Sequence, residues 1–136
     1  MRSNGLYLVS ACLLGLRTRY DGASKAVPWL ERKAKHLIPV CPEQLGGLPT
    51  PRPPAEIVGG DGLAVLEGQA KVINAQGEDV TSAFVRGAEE VLRLAKLLKP
   101  TGIILKARSP SCGLSPRIGV CAALLRLYGF SLLEVD

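Results

Sequence analysis

At 136 residues, 47% of them hydrophobic and with positive mean hydropathy, the chain is sized and composed for one globular domain over residues 1–136, not for disorder. Aromatic side chains make up only 4%, which argues against a stacking platform for nucleic-acid bases. The formal charge of +5 suits an anionic ligand or cofactor, and no arginine-rich tract marks an RNA-binding module, so nucleic acid is not expected as the main partner.

"GLYLVSA" (5–11) is an apolar run with β-branched and aromatic content and predicts a buried strand. With Cys12 behind it, this stretch looks like a lipoprotein signal, but the apolar core from Leu6 to Val9 is too short for one. No run approaches the roughly 20 apolar residues of a membrane span, so a cytoplasmic protein without a membrane segment is expected. A Gly-bearing loop, "GLRTRYDGAS", precedes a short helix predicted over 24–35, with Pro28 in its first turn. "HLIPV" (36–40) is the second strand, and "CPEQLGGLPTPRPPAE" reads as a loop stiffened by Pro49, Pro51, Pro53 and Pro54.

Residues 57–75 alternate apolar and polar and predict a small hairpin or excursion. The strongest helix covers 80–99, where Phe84, Ala88, Val91, Leu92, Ala95 and Leu98 fall on one face and Asp79 or Thr81 can cap the start. "GIILKA" (102–107) is a third strand and "RSPSCGLSPR" a loop. "IGVCAALLRLYG" (118–129) is a helix closed by Gly129, and "FSLLEV" a last strand. The alternation of strands and helices predicts a small α/β fold with a mainly parallel sheet and helices on its faces.

Cys12, Cys41, Cys112 and Cys121 are widely spaced with no CxxC pair, which favours metal binding or catalysis over structural disulfides. Cys12 follows the first strand, Cys41 ends the second and Cys112 lies in the loop after the third. In a parallel sheet those carboxyl ends share one edge, where ligands of open α/β folds bind. Three thiolates gathered there could hold zinc, with His36 or Cys121 as a fourth ligand, or an iron–sulfur cluster; a redox pair is the third option. His36 opens the strand that Cys41 ends, so it is expected on the far side of the sheet. Cys121 reads as a small hydrophobe on an Ala/Leu helix face.

"VSACLLG" with "RYDG", "VCPEQLGGLPTPRPPAEI", "DVTSAFVRGAEE" and "ILKARSPSCG" together resemble the thiouracil desulfidase family, in order from Gly5 to Gly129. The resemblance implies a Rossmann-like α/β domain with a 4Fe–4S cluster held by Cys12, Cys41 and Cys112, whose fourth iron accepts the sulfur of a thiolated pyrimidine such as 2-thiouracil. The products are the oxo base and sulfide, without net redox change. It also implies that Glu43 is the acid/base residue, with Ser109 the first choice of assisting serine and Ser111 the second. Lys106, Arg108 and Arg19 are placed to moderate the charge of such a cluster, while Asp21 and Gly22 shape the first loop. Gly46 and Gly47 suit close approach of backbone to cluster or ligand. As an ordinary loop carboxylate, Glu43 would pair with Arg19 or Lys106.

Two departures from the family pattern stand out. Only "LSPRI" separates Gly113 from Gly119, a shortened segment that would alter part of the pocket. Cys121 stands where a different small residue is usual, and it would block the open iron if it reached the cluster. The alternatives are a non-catalytic zinc or iron–sulfur module for binding or sensing, and desulfuration of thiolated nucleosides or tRNA. The expected assembly is a monomer or weak homodimer.

Overall fold

The computed structural model describes residue 2 and residues 4–136. In chain order it contains β1 (Leu6–Ser10), a 3-10 turn (Ala11–Leu14), α1 (Trp29–Lys33), β2 (His36–Val40), α2 (Pro42–Leu45), β3 (Ala55–Val58), α3 (Gly62–Leu66), β4 (Lys71–Asn74), α4 (Thr81–Leu98), β5 (Gly102–Lys106), α5 (Val120–Leu127) and β6 (Leu132–Val135). The main sheet has the order β2-β1-β5-β6, with every neighbouring pair parallel. The fold is α/β with a parallel central sheet, as the alternating pattern predicts.

The central strands β1 and β5 read as unbroken apolar runs because both sheet faces are covered. Alternate residues then divide between two cores. Leu8, Ile103 and Leu105 pack with Phe84, Val91 and Leu125 of α4 and α5, while Tyr7, Val9 and Ile104 meet Leu13 and Leu30 on the other side. Pro39 sits in β2, which it can do because β2 is an edge strand.

Several boundaries differ from expectation. The helix expected over 24–35 is only Trp29–Lys33, because the residues before it are hydrogen-bonded elsewhere. The N–H groups of Lys25 and Val27 donate to the Cys12 and Leu13 carbonyls at 2.9 and 2.8 Å, which lays the segment against the 3-10 turn. The 57–75 excursion is the antiparallel pair β3–β4 with α3 between them, starting at Ala55.

At the start of α4 the capping position is held by Val80, without a side-chain cap bond. Asp79 accepts the Thr81 N–H at 2.9 Å instead, and the Thr81 hydroxyl accepts the Val72 N–H at 2.9 Å, tying α4 to β4.

The segment expected to be loop after Cys41 contains the one-turn helix α2, started by Pro42 in its first turn. This turn packs tightly against α4. A Cβ on Gly46 would stand 2.0 Å from the Ala83 carbonyl oxygen, and one on Gly87 would stand 1.8 Å from that of Pro42. Gly46 therefore serves helix packing and not approach to a ligand, and neither it nor Gly47 lines the main cavity. Among the described residues no helix is long and apolar enough to cross a membrane.

Candidate active site

The sheet order places β1 and β5 side by side while their onward connections lead to opposite flanks, and a crevice opens at such a switch point. Beyond the Val9–Ile104 pair, the Lys106 N–H is taken by the buried Ser10 hydroxyl at 2.9 Å and not by a strand carbonyl. A cavity of about 330 Å³ fills this end of the molecule. Cys12, Cys41, Cys112, Glu43, Ser109 and Ser111 all line it. Three loops that leave three parallel strands thus deliver the thiols, as strand topology alone predicts.

The three thiols line one cavity and are near enough for Cys41 to act on both Cys12 and Cys112. Among the described residues no group of three His, Cys, Asp or Glu side chains is set to hold one metal ion. A single zinc draws every thiolate to about 2.3 Å from itself. A polynuclear cluster binds each thiolate to a different iron, and three thiols on one cavity are a donor set that fits such a group.

All four cysteines are free thiols. Burial pushes the Cys12 thiol up, and the neighbouring Cys41 adds to this, while Lys106 and Arg19 pull it down. The Cys41 thiol is raised by burial against the Gln44 N–H and Arg52. Cys112 is pushed up to about 12 by burial, which the nearby Ser10 and Ser111 hydroxyls only partly offset.

Glu43 sits in α2, two residues beyond Cys41, and its carboxylate is gripped from two sides. Arg52 Nε donates to Oε1 at 2.8 Å, and Ser111 Oγ donates to Oε2 at 3.0 Å. The partner is neither Arg19 nor Lys106, the cations considered for an ordinary loop carboxylate, but Arg52 of the proline-rich string. Ser111 Oγ also lies 3.0 Å from Ser109 Oγ. Ser109 Oγ already accepts the N–H groups of Ser111 and Cys112, at 3.2 and 3.1 Å. With its lone pairs engaged, Ser109 donates to Ser111, which donates to Glu43, and the hydroxyl chain acquires a direction. The serine in contact with the carboxylate is Ser111, while Ser109 shapes the turn that carries Cys112.

Lys106, Arg108 and Arg19 line the same cavity. Lys106 Nζ stands 3.5 Å from Asp136, and Arg108 bonds the same carboxylate, so part of the local positive charge is matched there. Asp21 accepts the Ala23 N–H at 2.9 Å and Gly22 takes a positive φ of 78°, which makes them shapers of the first loop.

His36 is exposed at the opposite end of β2 from Cys41. Cys121 is 0% exposed in the α4–α5 core and does not line the cavity. The shortened segment after Gly113 also lies outside the cavity wall. Leu114 N–H and the Ser115 hydroxyl bond Glu134, and Arg117 bonds the Ile57 and Gly60 carbonyls.

Sequence reasoning passed over Arg52 and Ser10. The signal for Arg52 was a lone charge inside "PTPRPP", a rigid string that cannot easily turn a buried guanidinium out to water. Ser10 carried only the hint of a hydroxyl ending an apolar strand.

Comparison with known proteins finds relatives over nearly the whole chain. "Uncharacterized protein YbbK" of Bacillus subtilis (strain 168) is 41% identical, with 95% of each chain covered. The solved structure of the "[4Fe-4S]-dependent thiouracil desulfidase TudS" superposes with a TM-score of 0.80 at 38% identity, covering 98% of this chain and 92% of that one. The sequence model of the 2-thiouracil desulfurase family matches residues 7–132, and the chain belongs to that family.

Proposed function

We propose that this protein is an iron–sulfur-dependent desulfidase that exchanges the sulfur of a thiolated pyrimidine for oxygen. The observation that carries this reading is the shared cavity, where three thiols, a clamped carboxylate and a directed hydroxyl pair meet. The family and the TudS likeness support the activity and the 4Fe–4S cofactor. Cys12, Cys41 and Cys112 would hold the cluster, which supplies a soft Lewis-acidic iron for the substrate's sulfur.

The chain's own groups handle the protons. Exchange of C=S for C=O consumes one water and releases one sulfide, with no electrons gained or lost. The Glu43 carboxylate lines the cavity, with Oε2 held by Ser111, and takes the proton from water, returning one to the departing product. Ser111 passes hydrogen-bond polarity from Ser109 to that oxygen. Arg52 and Pro42 are both buried and line the cavity beside Glu43.

Every group named comes from one chain, which suits a catalytic unit complete in a monomer. The unpaired thiols fit a reducing cytoplasm. The test is anaerobic reconstitution followed by sulfide release from 2-thiouracil. A brown protein with about four irons per chain and steady sulfide production is the expected result. A colourless protein with one zinc, or a loaded protein that releases no sulfide, would sink the reading.

A further inference from the structure

We propose that Arg52 is a positioning residue of the desulfuration, holding the Glu43 carboxylate and the 18–20 loop in one fixed relation. This rests on the acid–base reading of Glu43 given above.

The side chain of Arg52 is only 5% exposed, and each of its nitrogens has a partner. Nε donates to Glu43 Oε1 at 2.8 Å. Nη1 donates to Thr50 Oγ1 at 2.9 Å and to the Pro49 carbonyl at 3.3 Å, and Nη2 donates to the Thr18 carbonyl at 2.9 Å. Its backbone N–H donates to the Tyr20 carbonyl at 2.7 Å. The Thr18 carbonyl that Arg52 grips is also the oxygen that the Cys41 thiol approaches, at 3.8 Å. One guanidinium thus joins the loop after β1 to the turn after β2, and it touches both the carboxylate and the neighbourhood of a thiol.

A buried ion pair is a poor way to add stability, because desolvation offsets most of the attraction and an apolar pair of similar volume would fold as well. Its placement serves geometry better. With Oε1 tied to Arg52, the carboxylate cannot rotate away, and Oε2 stays with Ser111. A planar fork with five donors reaches three directions at once; a lysine ammonium in the same place cannot.

The experiment uses the full chain, reconstituted anaerobically, as wild type, Arg52→Gln, Arg52→Lys, Glu43→Gln and the double variant Arg52→Gln/Glu43→Gln. Iron content, kcat and KM for sulfide release from 2-thiouracil are measured on each. Arg52→Gln is expected to keep its iron and lose about 10- to 100-fold in kcat, the usual range for a group that orients another, with KM little changed. Arg52→Lys is expected to show a similar loss. In the Glu43→Gln background the Arg52 substitution should add almost nothing, because the group it positions is gone.

A second readout needs no cluster. In the metal-free protein, amide exchange over residues 18–22 should speed up in Arg52→Gln. The inference falls if Arg52→Gln keeps full kcat, if its loss is undiminished in the Glu43→Gln background, or if exchange over 18–22 is unchanged. Should Arg52→Gln not fold, folded and loaded Arg52→Lys decides, and wild-type kcat there overturns the inference. A wild type that releases no sulfide would count against the desulfidase reading itself, whereas an active wild type with undiminished Arg52 variants counts against the positioning role alone.

Discussion

Cys112 lies at the end of a buried hydroxyl-lined turn, and burial pushes its pKa up to about 12 from an ordinary 9.0. The folded protein therefore holds this proton at pH values where the unfolded chain has released it. Stability from this source is complete below pH 9 and is lost as pH rises from there toward 12. The metal-free protein should accordingly show a flat melting temperature at neutral pH and a fall above pH 9, and Cys112→Ala should reduce the fall; a pH series of thermal melts checks this. Ligation by the proposed thiolates would run the other way, since protons must leave, so iron uptake should strengthen as pH rises. At Glu43, replacement by Gln keeps the size and hydrogen-bonding reach but removes the base. Reconstituted Glu43→Gln should stay brown and lose about 10²- to 10⁴-fold in turnover, whereas Cys41→Ala should lose both colour and turnover. Of these residues the three thiols were legible from strand ends alone. Glu43 and the serines were legible only through resemblance, because a carboxylate two residues from a cysteine has no diagnostic spacing of its own. The Arg52 contact was not legible at all, since it depends on a proline-rich string folding back on a turn distant from the first loop.

Among the elements, α2 places Cys41 and Glu43 together, and it does so by lying almost backbone to backbone on α4. Gly46 and Gly87 make that approach possible. Gly87→Ala would drive a methyl into the Pro42 carbonyl, so α2 must move outward. The expected result is destabilisation of about 1–3 kcal/mol by denaturant unfolding, with turnover reduced even though residue 87 does not line the cavity. Sequence reading found the helical face of α4 but not this contact, because a glycine within an amphipathic pattern gives no sign of what it meets. The shortness of α1 was hidden for a similar reason: the pairing of Lys25 and Val27 with the 3-10 turn is a tertiary event. Cys121 in α5 behaves as its Ala/Leu surroundings suggest. Cys121→Ala should keep about four irons per chain, and an iron assay beside Cys112→Ala separates a core thiol from a cavity thiol.

At the scale of the whole molecule, the fold was legible because a β/α alternation with apolar strands admits few arrangements, and the parallel sheet follows from them. The β3–β4 pair was legible as a hairpin or excursion over 57–75, whereas α3 inside it was not, since one turn and a half of helix is too short to show a period. Chelating the iron from loaded protein should lower its melting temperature, as loss of any ligand bound only to the folded state does, and scanning calorimetry before and after chelation measures it. The placement of the thiols at positions 12, 41 and 112 has a consequence for assembly order. Ligation by these three thiols would close chain loops of roughly 30 and 70 residues, and no two of them are close along the sequence. A nascent or proteolysed segment that stops short of residue 112 carries at most two of them and would lack the third ligand. With these three as ligands, loading would wait until the sheet has formed, and maturation of the protein would be a checkpoint on its own folding.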